Sequence, residues 1–280
     1  MDFFYTGYYT GYKIFRDDSK EAMKFYEKDE EAFGELLENE YIIIEDENHK
    51  VVDCYKYKNE VLDRVFYPTI GGDLTGPIKP RNPQQYCAMD LLMSRNTPVK
   101  LITGCFGSGK TLLNVVAALQ LVQCGEFDKI VFVRNNVQVK DTDPVGILPG
   151  EVFQKTLPWV LPFSDHCGGI DGLQMLIEKG QLEVVPLAYL RGRSIKNAII
   201  YSMESENLTK EHIQLLLGRV DEGSELWLDG DLKQRDRITF EKSQGLETMI
   251  ERLSGNGLFG YVHLVKSERS EVSALADLLD

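Results

Sequence analysis

The sequence predicts an α/β protein: a mostly parallel sheet covered on both faces, preceded by a small α+β accessory unit. Apolar runs at 99–103, 129–133, 182–187, 198–203, 224–228 and 261–265 alternate with helical patterns. Alternation of this kind implies parallel strands joined by crossover helices. The first run feeds Gly104-Cys105-Phe106-Gly107-Ser108-Gly109-Lys110-Thr111, which opens a Leu/Val/Ala-rich helix. A Pro/Gly-rich stretch, 68–80, separates this region from what precedes it.

Taken in order, residues 1–38 start with an aromatic, polar segment from Phe3 to Tyr12. A charged stretch follows, with Ala22, Met23, Phe25, Tyr26, Phe33, Leu36 and Leu37 at roughly helical spacing. Tyr41–Glu45 and Val51–Tyr55 flank the polar turn Asp46-Glu47-Asn48-His49 and read as a β-hairpin. A third short strand is expected near 61–66. The boundary is placed in the Pro/Gly stretch, giving an accessory unit over 1–75 and the main domain over 76–280. Asn82-Pro83-Gln84-Gln85 starts a helix, and a Gly/Pro-marked insertion occupies 135–165.

A length of 280 residues suits one large α/β domain with a small appendage. The net charge of −13 argues against a generally basic, nucleic-acid-coating surface. Local basic clusters remain, at Arg191, Arg193 and Lys196 and at Lys233, Arg235 and Arg237. The five cysteines form no C-x-x-C pair and read as reduced thiols of an intracellular protein. The histidines have no metal-ligand spacing. With no secretory signal and no long apolar span, a cytoplasmic, non-membrane protein is expected.

The Gly104–Thr111 segment has the form G-x-x-x-x-G-K-T in a strand-loop-helix setting, a phosphate-binding loop. Its glycines let successive backbone N–H groups converge, and the helix N-terminus adds partial positive charge. Gly104, Gly107, Ser108, Gly109, Lys110, Thr111 and Leu112 are the expected nucleotide contacts. Lys110 would reach the outer phosphates and Thr111 would ligate Mg²⁺. Turnover also needs a carboxylate at the end of another strand. Ala198–Met203 ends in Glu204, and Glu225-Leu226-Trp227-Leu228 runs into Asp229-Gly230-Asp231-Leu232-Lys233-Gln234.

Together with these, Lys79-Pro80-Arg81-Asn82-Pro83-x-Gln85, Gly146-Ile147-Leu148-Pro149-Gly150, Leu187–Ser194 and Ser267-Glu268-Arg269-Ser270 carry a resemblance. Residues 78–280 resemble the PhoH family of P-loop ATPases, whose RecA-like core is similar to the first motor domain of superfamily 1 helicases. The resemblance implies ATP and Mg²⁺ as cofactors, a ring-shaped homo-oligomer such as a hexamer, and a role in RNA metabolism on single-stranded RNA with helicase-like activity. It implies that Gln85 reads adenine, that Glu204 polarises water and helps hold the metal, and that Gln234 reports the γ-phosphate. It also implies that Arg191, Arg269, Arg134 and Arg193 are candidates to stabilise transition-state charge, within a subunit or across an interface. Longer relatives carry an N-terminal PIN-type nuclease domain; only about 40 residues precede the hairpin, so no nuclease activity is expected.

One motif departs from the family. Where its motif reads Asp-Glu-Ala-Gln-Asn, this chain has Met203-Glu204-Ser205-Glu206-Asn207. Methionine offers no hard oxygen to Mg²⁺. Either Glu204 or Glu206 takes over the metal shell, or Asp229 or Asp231 does if the fold brings one close, or hydrolysis is impaired. The last case describes a nucleotide-dependent scaffold or regulator. A small-molecule kinase is the third reading, less well matched by Gly-Asp-x-x-Gln and Ser-Glu-Arg-Ser.

Overall fold

The structure is a computed structural model and describes residues 9–27, 36–66, 69–134, 160–233 and 245–268. Six strands build the main sheet: β7 (Val99–Gly104), β8 (Lys129–Arg134), β9 (Leu182–Pro186), β10 (Ala198–Ser202), β11 (Glu225–Gly230) and β12 (Phe259–Leu264). All pair in parallel, in the order β12-β7-β11-β10-β8-β9. This is the RecA-like arrangement expected of a P-loop core. The strand bearing the phosphate loop lies inside the sheet, with β11 as its neighbour on one side.

Burial on both faces explains the near-continuous apolar runs. Successive residues point to opposite faces, so Ile102, Phe132, Tyr201 and Trp227 join one core while Leu101, Val131, Ile200 and Leu228 join the other. The first face is covered by α2 (Pro83–Met93), α3 (Lys110–Gln123) and α4 (Gly169–Glu178). The second is covered by α5 (Lys210–Leu217) and α6 (Gly245–Leu253). Helix α2 begins where Asn82 accepts a hydrogen bond from Gln85 N–H and Pro83 occupies the first turn, as its sequence requires.

The N-terminal region forms a second sheet, β1-β2-β3-β4, from Tyr12–Arg16, Tyr41–Glu45, Val51–Lys58 and Val61–Arg64. Strands β2, β3 and β4 make the expected antiparallel meander. Strand β1 was not foreseen; it starts at Tyr12, where the segment read as aromatic and polar ends, and pairs in parallel with β2. Helix α1 (Lys20–Tyr26) packs Phe25 on Ile42 and Ile44, while Tyr41, Ile43 and Cys54 on the opposite face belong to the main core. Residues 70–78, read as part of a linker, form the antiparallel ribbon β5 (Ile70–Gly72) and β6 (Gly76–Ile78). Gly71 N–H donates to Gln120 Oε1 at 2.8 Å and fastens the ribbon to α3.

Candidate active site

Strand β7 ends at Gly104 and α3 begins at Lys110, so the phosphate loop fills the turn between them. Gly109 has φ 93°, a left-handed conformation in which only glycine is unstrained. A Cβ on Gly104 would come within 2.4 Å of the Leu264 carbonyl oxygen, so this glycine permits the close approach of β12. The loop is fixed from three sides: Ser108 Oγ donates to Cys105 O at 2.8 Å, Gln85 Nε2 to Ser108 O at 2.9 Å, and Glu268 N–H to Gly107 O at 2.9 Å. Lys110 Nζ donates to Gly104 O and Cys105 O at 2.6 and 2.9 Å, and its third proton is left for a ligand.

Opposite the loop stand the carboxylates at the ends of β10 and β11. Asp229, 2% exposed, accepts from Thr111 Oγ1 at 3.1 Å and Tyr201 Oη at 2.6 Å through Oδ2, and from Glu204 N–H at 3.1 Å through Oδ1. Glu204 has φ 53° and its carboxylate is ion-paired with Arg134. Glu206 Oε2 accepts from Asp231 N–H at 3.1 Å. Burial, followed by the nearby Asp229 and Glu204 carboxylates, pushes the Glu206 pKa up to about 8. Burial also raises that of Asp229. Met203, 3% exposed, has its side chain in the apolar core.

These groups line one end of a cavity of about 920 Å³, with Lys110, Thr111 and Leu112 on the loop side. Pro77, Ile78, Lys79, Pro80, Arg81 and Gln85 also line it. That segment is laced to the phosphate loop. Gln85 Oε1 accepts from Arg81 N–H at 2.9 Å, Asn82 Nδ2 donates to Glu268 Oε1 at 2.8 Å, and Arg81 donates to Glu268 O at 3.2 Å. Each end of the Gln85 carboxamide therefore serves the backbone and retains capacity for one more hydrogen bond.

Of the other residues singled out from sequence, Arg191 is exposed and lies outside the cavity lining. Arg193 pairs with Glu183 at 2.8 Å. Gln234, Arg269, Arg235, Arg237 and the segment Gly146–Gly150 lie outside the described residues. The contact between Arg134 and Glu204 had no signal in the sequence beyond a charged residue closing each apolar strand. That between Thr111 and Asp229 is visible only once the strand order is known.

A hydroxyl, carboxylates and space for phosphates make a set of hard oxygen donors, which fits Mg²⁺. Thr111 would hold the ion directly, since donating its proton to Asp229 leaves its lone pairs for a cation. Among the described residues no group of three or more His, Cys, Asp or Glu stands at metal-binding spacing. Mg²⁺ sites completed by substrate phosphates typically use only one or two carboxylates.

A phosphate loop facing strand-end carboxylates in this strand order agrees with the comparison to known sequences, in which the family described as PhoH-like protein matches residues 77–276. The chain belongs to the PhoH-like family. It is 33% identical to Protein PhoH2 of Bacillus subtilis (strain 168), over 97% of this chain and 64% of that protein. Protein PhoH2 of Mycolicibacterium smegmatis is 31% identical over 71% of this chain and 46% of its own length. Protein PhoH of Escherichia coli K12 is 29% identical over 69% and 55%. The chain thus spans 46 to 64% of the length of these PhoH relatives. No described helix is long and apolar enough to cross a membrane.

Proposed function

We propose that this PhoH-like chain binds ATP with Mg²⁺ in the cavity between the phosphate loop and the ends of β10 and β11, and hydrolyses it. The observation that supports this most is the convergence of Lys110, Thr111, Glu204 and Asp229 on one cavity of about 920 Å³ that Gln85 also lines, a volume in the range of small-molecule sites. The loop amides and Lys110 bind the β- and γ-phosphates, and Thr111 orients the metal. Bound Mg²⁺ neutralises charge developing on the transferred phosphoryl group. Glu204 orients the attacking water once Arg134 yields it, and Gln85 uses its remaining hydrogen-bonding capacity on the adenine edge. Gln234, Arg191 and Arg269 respond to the γ-phosphate or stabilise its charge. Family membership favours assembly as a homo-oligomeric ring acting on single-stranded RNA, with helicase-like movement as its output.

A second reading is favoured by Met203 and by the Arg134–Glu204 ion pair: a nucleotide-dependent regulator that turns ATP over slowly or not at all. Mg²⁺-dependent ATP hydrolysis, measured with and without single-stranded RNA, separates the two. Wild-type turnover that drops at least ~100-fold in Lys110→Ala, a charge-stabilising group of the kind that typically contributes that much, supports the ATPase. Binding without turnover, with turnover gained in Met203→Asp, supports the regulator.

A further inference from the structure

Because β11 lies between β7 and β10, the carboxylate at its end is one strand closer to the phosphate loop than residue 203. Ser202 pairs with Leu228, so Met203 and Asp229 leave adjacent strands side by side. On the other side Asp229 pairs with Ile102, two residues before Gly104. Met203 packs in the apolar core at the cavity wall, and Asp229 is the neighbour bonded to Thr111.

We infer that Asp229 has taken over the metal-anchoring role that the family assigns to the aspartate replaced here by Met203. The inference rests on the nucleotide-binding reading above and names the residue that makes it work. Four carboxylates line this end of the cavity, and their contacts distinguish them. Glu204 is ion-paired with Arg134. Glu206 is bonded to the Asp231 amide, and Asp231 in turn closes its own turn on Lys233 N–H at 2.9 Å. Of the four, Asp229 is the one bonded to the Thr111 hydroxyl.

Its surroundings call for a cation. The donors bonded to Asp229 are two hydroxyls and one amide, all neutral, and the Lys110 ammonium, which donates to the loop carbonyls, acts on it only through space. A carboxylate removed from water with only neutral hydrogen-bond partners is incompletely compensated, and an ion held between Thr111 and the phosphates would supply further positive charge. A carboxylate accepts about four hydrogen bonds or ligands. The three donors leave Asp229 one site, on Oδ1. The Tyr201 hydroxyl and the Glu204 amide fix the rotamer, so Asp229 also ties the metal end of the cavity to the backbone of the proposed water-orienting glutamate.

The test reads affinity rather than turnover. The dissociation constant of a fluorescent ADP analogue is measured with Mg²⁺ and with EDTA, in wild type, Asp229→Asn, Met203→Asp and the double variant. The expected ratio of the two constants is ~10-fold or more in wild type, falls to within ~2-fold in Asp229→Asn, and recovers in the double variant; a tenfold ratio corresponds to ~1.4 kcal/mol. Met203→Asp alone is expected to leave the wild-type ratio within ~2-fold, because the anchor is already present; this arm remains decisive if Asp229→Asn does not fold. An unchanged ratio in Asp229→Asn, or a tenfold rise in Met203→Asp alone, overturns the inference while leaving nucleotide binding intact. No analogue binding by wild type under either condition overturns the nucleotide-binding reading itself, and this inference with it.

Discussion

Glu206 keeps its proton at neutral pH because burial and two neighbouring carboxylates hold its pKa at about 8, against an ordinary value of 4.5. In the unfolded chain the same group ionises as pH passes 4.5. Its contribution to stability is therefore complete below pH 4.5 and is lost progressively as pH rises to 8. At ~1.4 kcal/mol per pH unit the loss reaches up to about 5 kcal/mol. Glu206→Gln keeps the shape and removes the titration. Urea unfolding at pH 6 and pH 9 is expected to show the variant gaining on wild type by about 1 to 3 kcal/mol between the two. An equal difference at both values would mean that Glu206 is not held protonated. Met203 and Glu206 are two of the positions at which the sequence departs from the family motif, and both departures were legible without a structure. What each side chain touches was not. The approach of Asp229 to Thr111 depends on which strands are neighbours, and local pattern carries no record of that.

Strand positions were legible wherever a strand is buried on both faces, because a continuous apolar run survives any choice of neighbour; β7, β8, β10 and β11 fall in this class. The short β1 was not, since Tyr12–Arg16 alternates over only five residues beside other aromatics. The ribbon at 70–78 was hidden for the opposite reason: its glycines and proline signal turns, and α3 supplies the contacts that make it two strands. One polar residue inside an apolar run had its explanation in the neighbouring element. Lys100 on β7 is fully buried and donates to Glu225 on β11 at 2.6 Å and to Leu92 O at 2.8 Å. Glu225 also accepts from Arg95 and from Trp227 Nε1, both near 2.9 Å. Burial lowers the Lys100 pKa to about 8 while Glu225 opposes the shift. Glu225→Ala strands a buried ammonium, and a loss of about 3 to 5 kcal/mol is expected in chemical denaturation. Replacing both partners, as Lys100→Met with Glu225→Leu, is expected to cost clearly less, because no buried ammonium is stranded and Arg95 keeps Glu126 at 3.8 Å, although the Trp227 Nε1–H loses its Glu225 acceptor. If the double variant lost more than Glu225→Ala, the cluster would be contributing more than charge compensation.

At the scale of the whole molecule, the N-terminal sheet and the phosphate-loop core share one apolar interior and a set of directed hydrogen bonds. Strand β12 is the outer strand next to β7, and its free edge is met by Thr10, whose carbonyl accepts from His263 N–H at 3.0 Å. Tyr41 Oη donates to Asp90 on α2 at 2.6 Å. Asn39 is the most concentrated fastening: its Nδ2 donates to Gly257 O and Phe259 O at 3.1 and 2.9 Å, and its Oδ1 accepts from Thr97 Oγ1 at 3.1 Å. Asn39 also has φ 64°, which asparagine tolerates better than alanine does. Losing these bonds and forcing alanine into that conformation is expected to cost Asn39→Ala about 2 to 4 kcal/mol. Asn39→Gly relieves the backbone strain but not the lost bonds, and so should recover about 1 kcal/mol of it. Because the fastening joins the two sheets, the loss should register in the core. Trp227 on β11 is fully buried, so tryptophan fluorescence and far-ultraviolet circular dichroism should report one coincident, destabilised transition. A core transition at the wild-type midpoint, preceded by separate melting of the N-terminal sheet, would show that the two regions fold independently and that Asn39 merely touches the core.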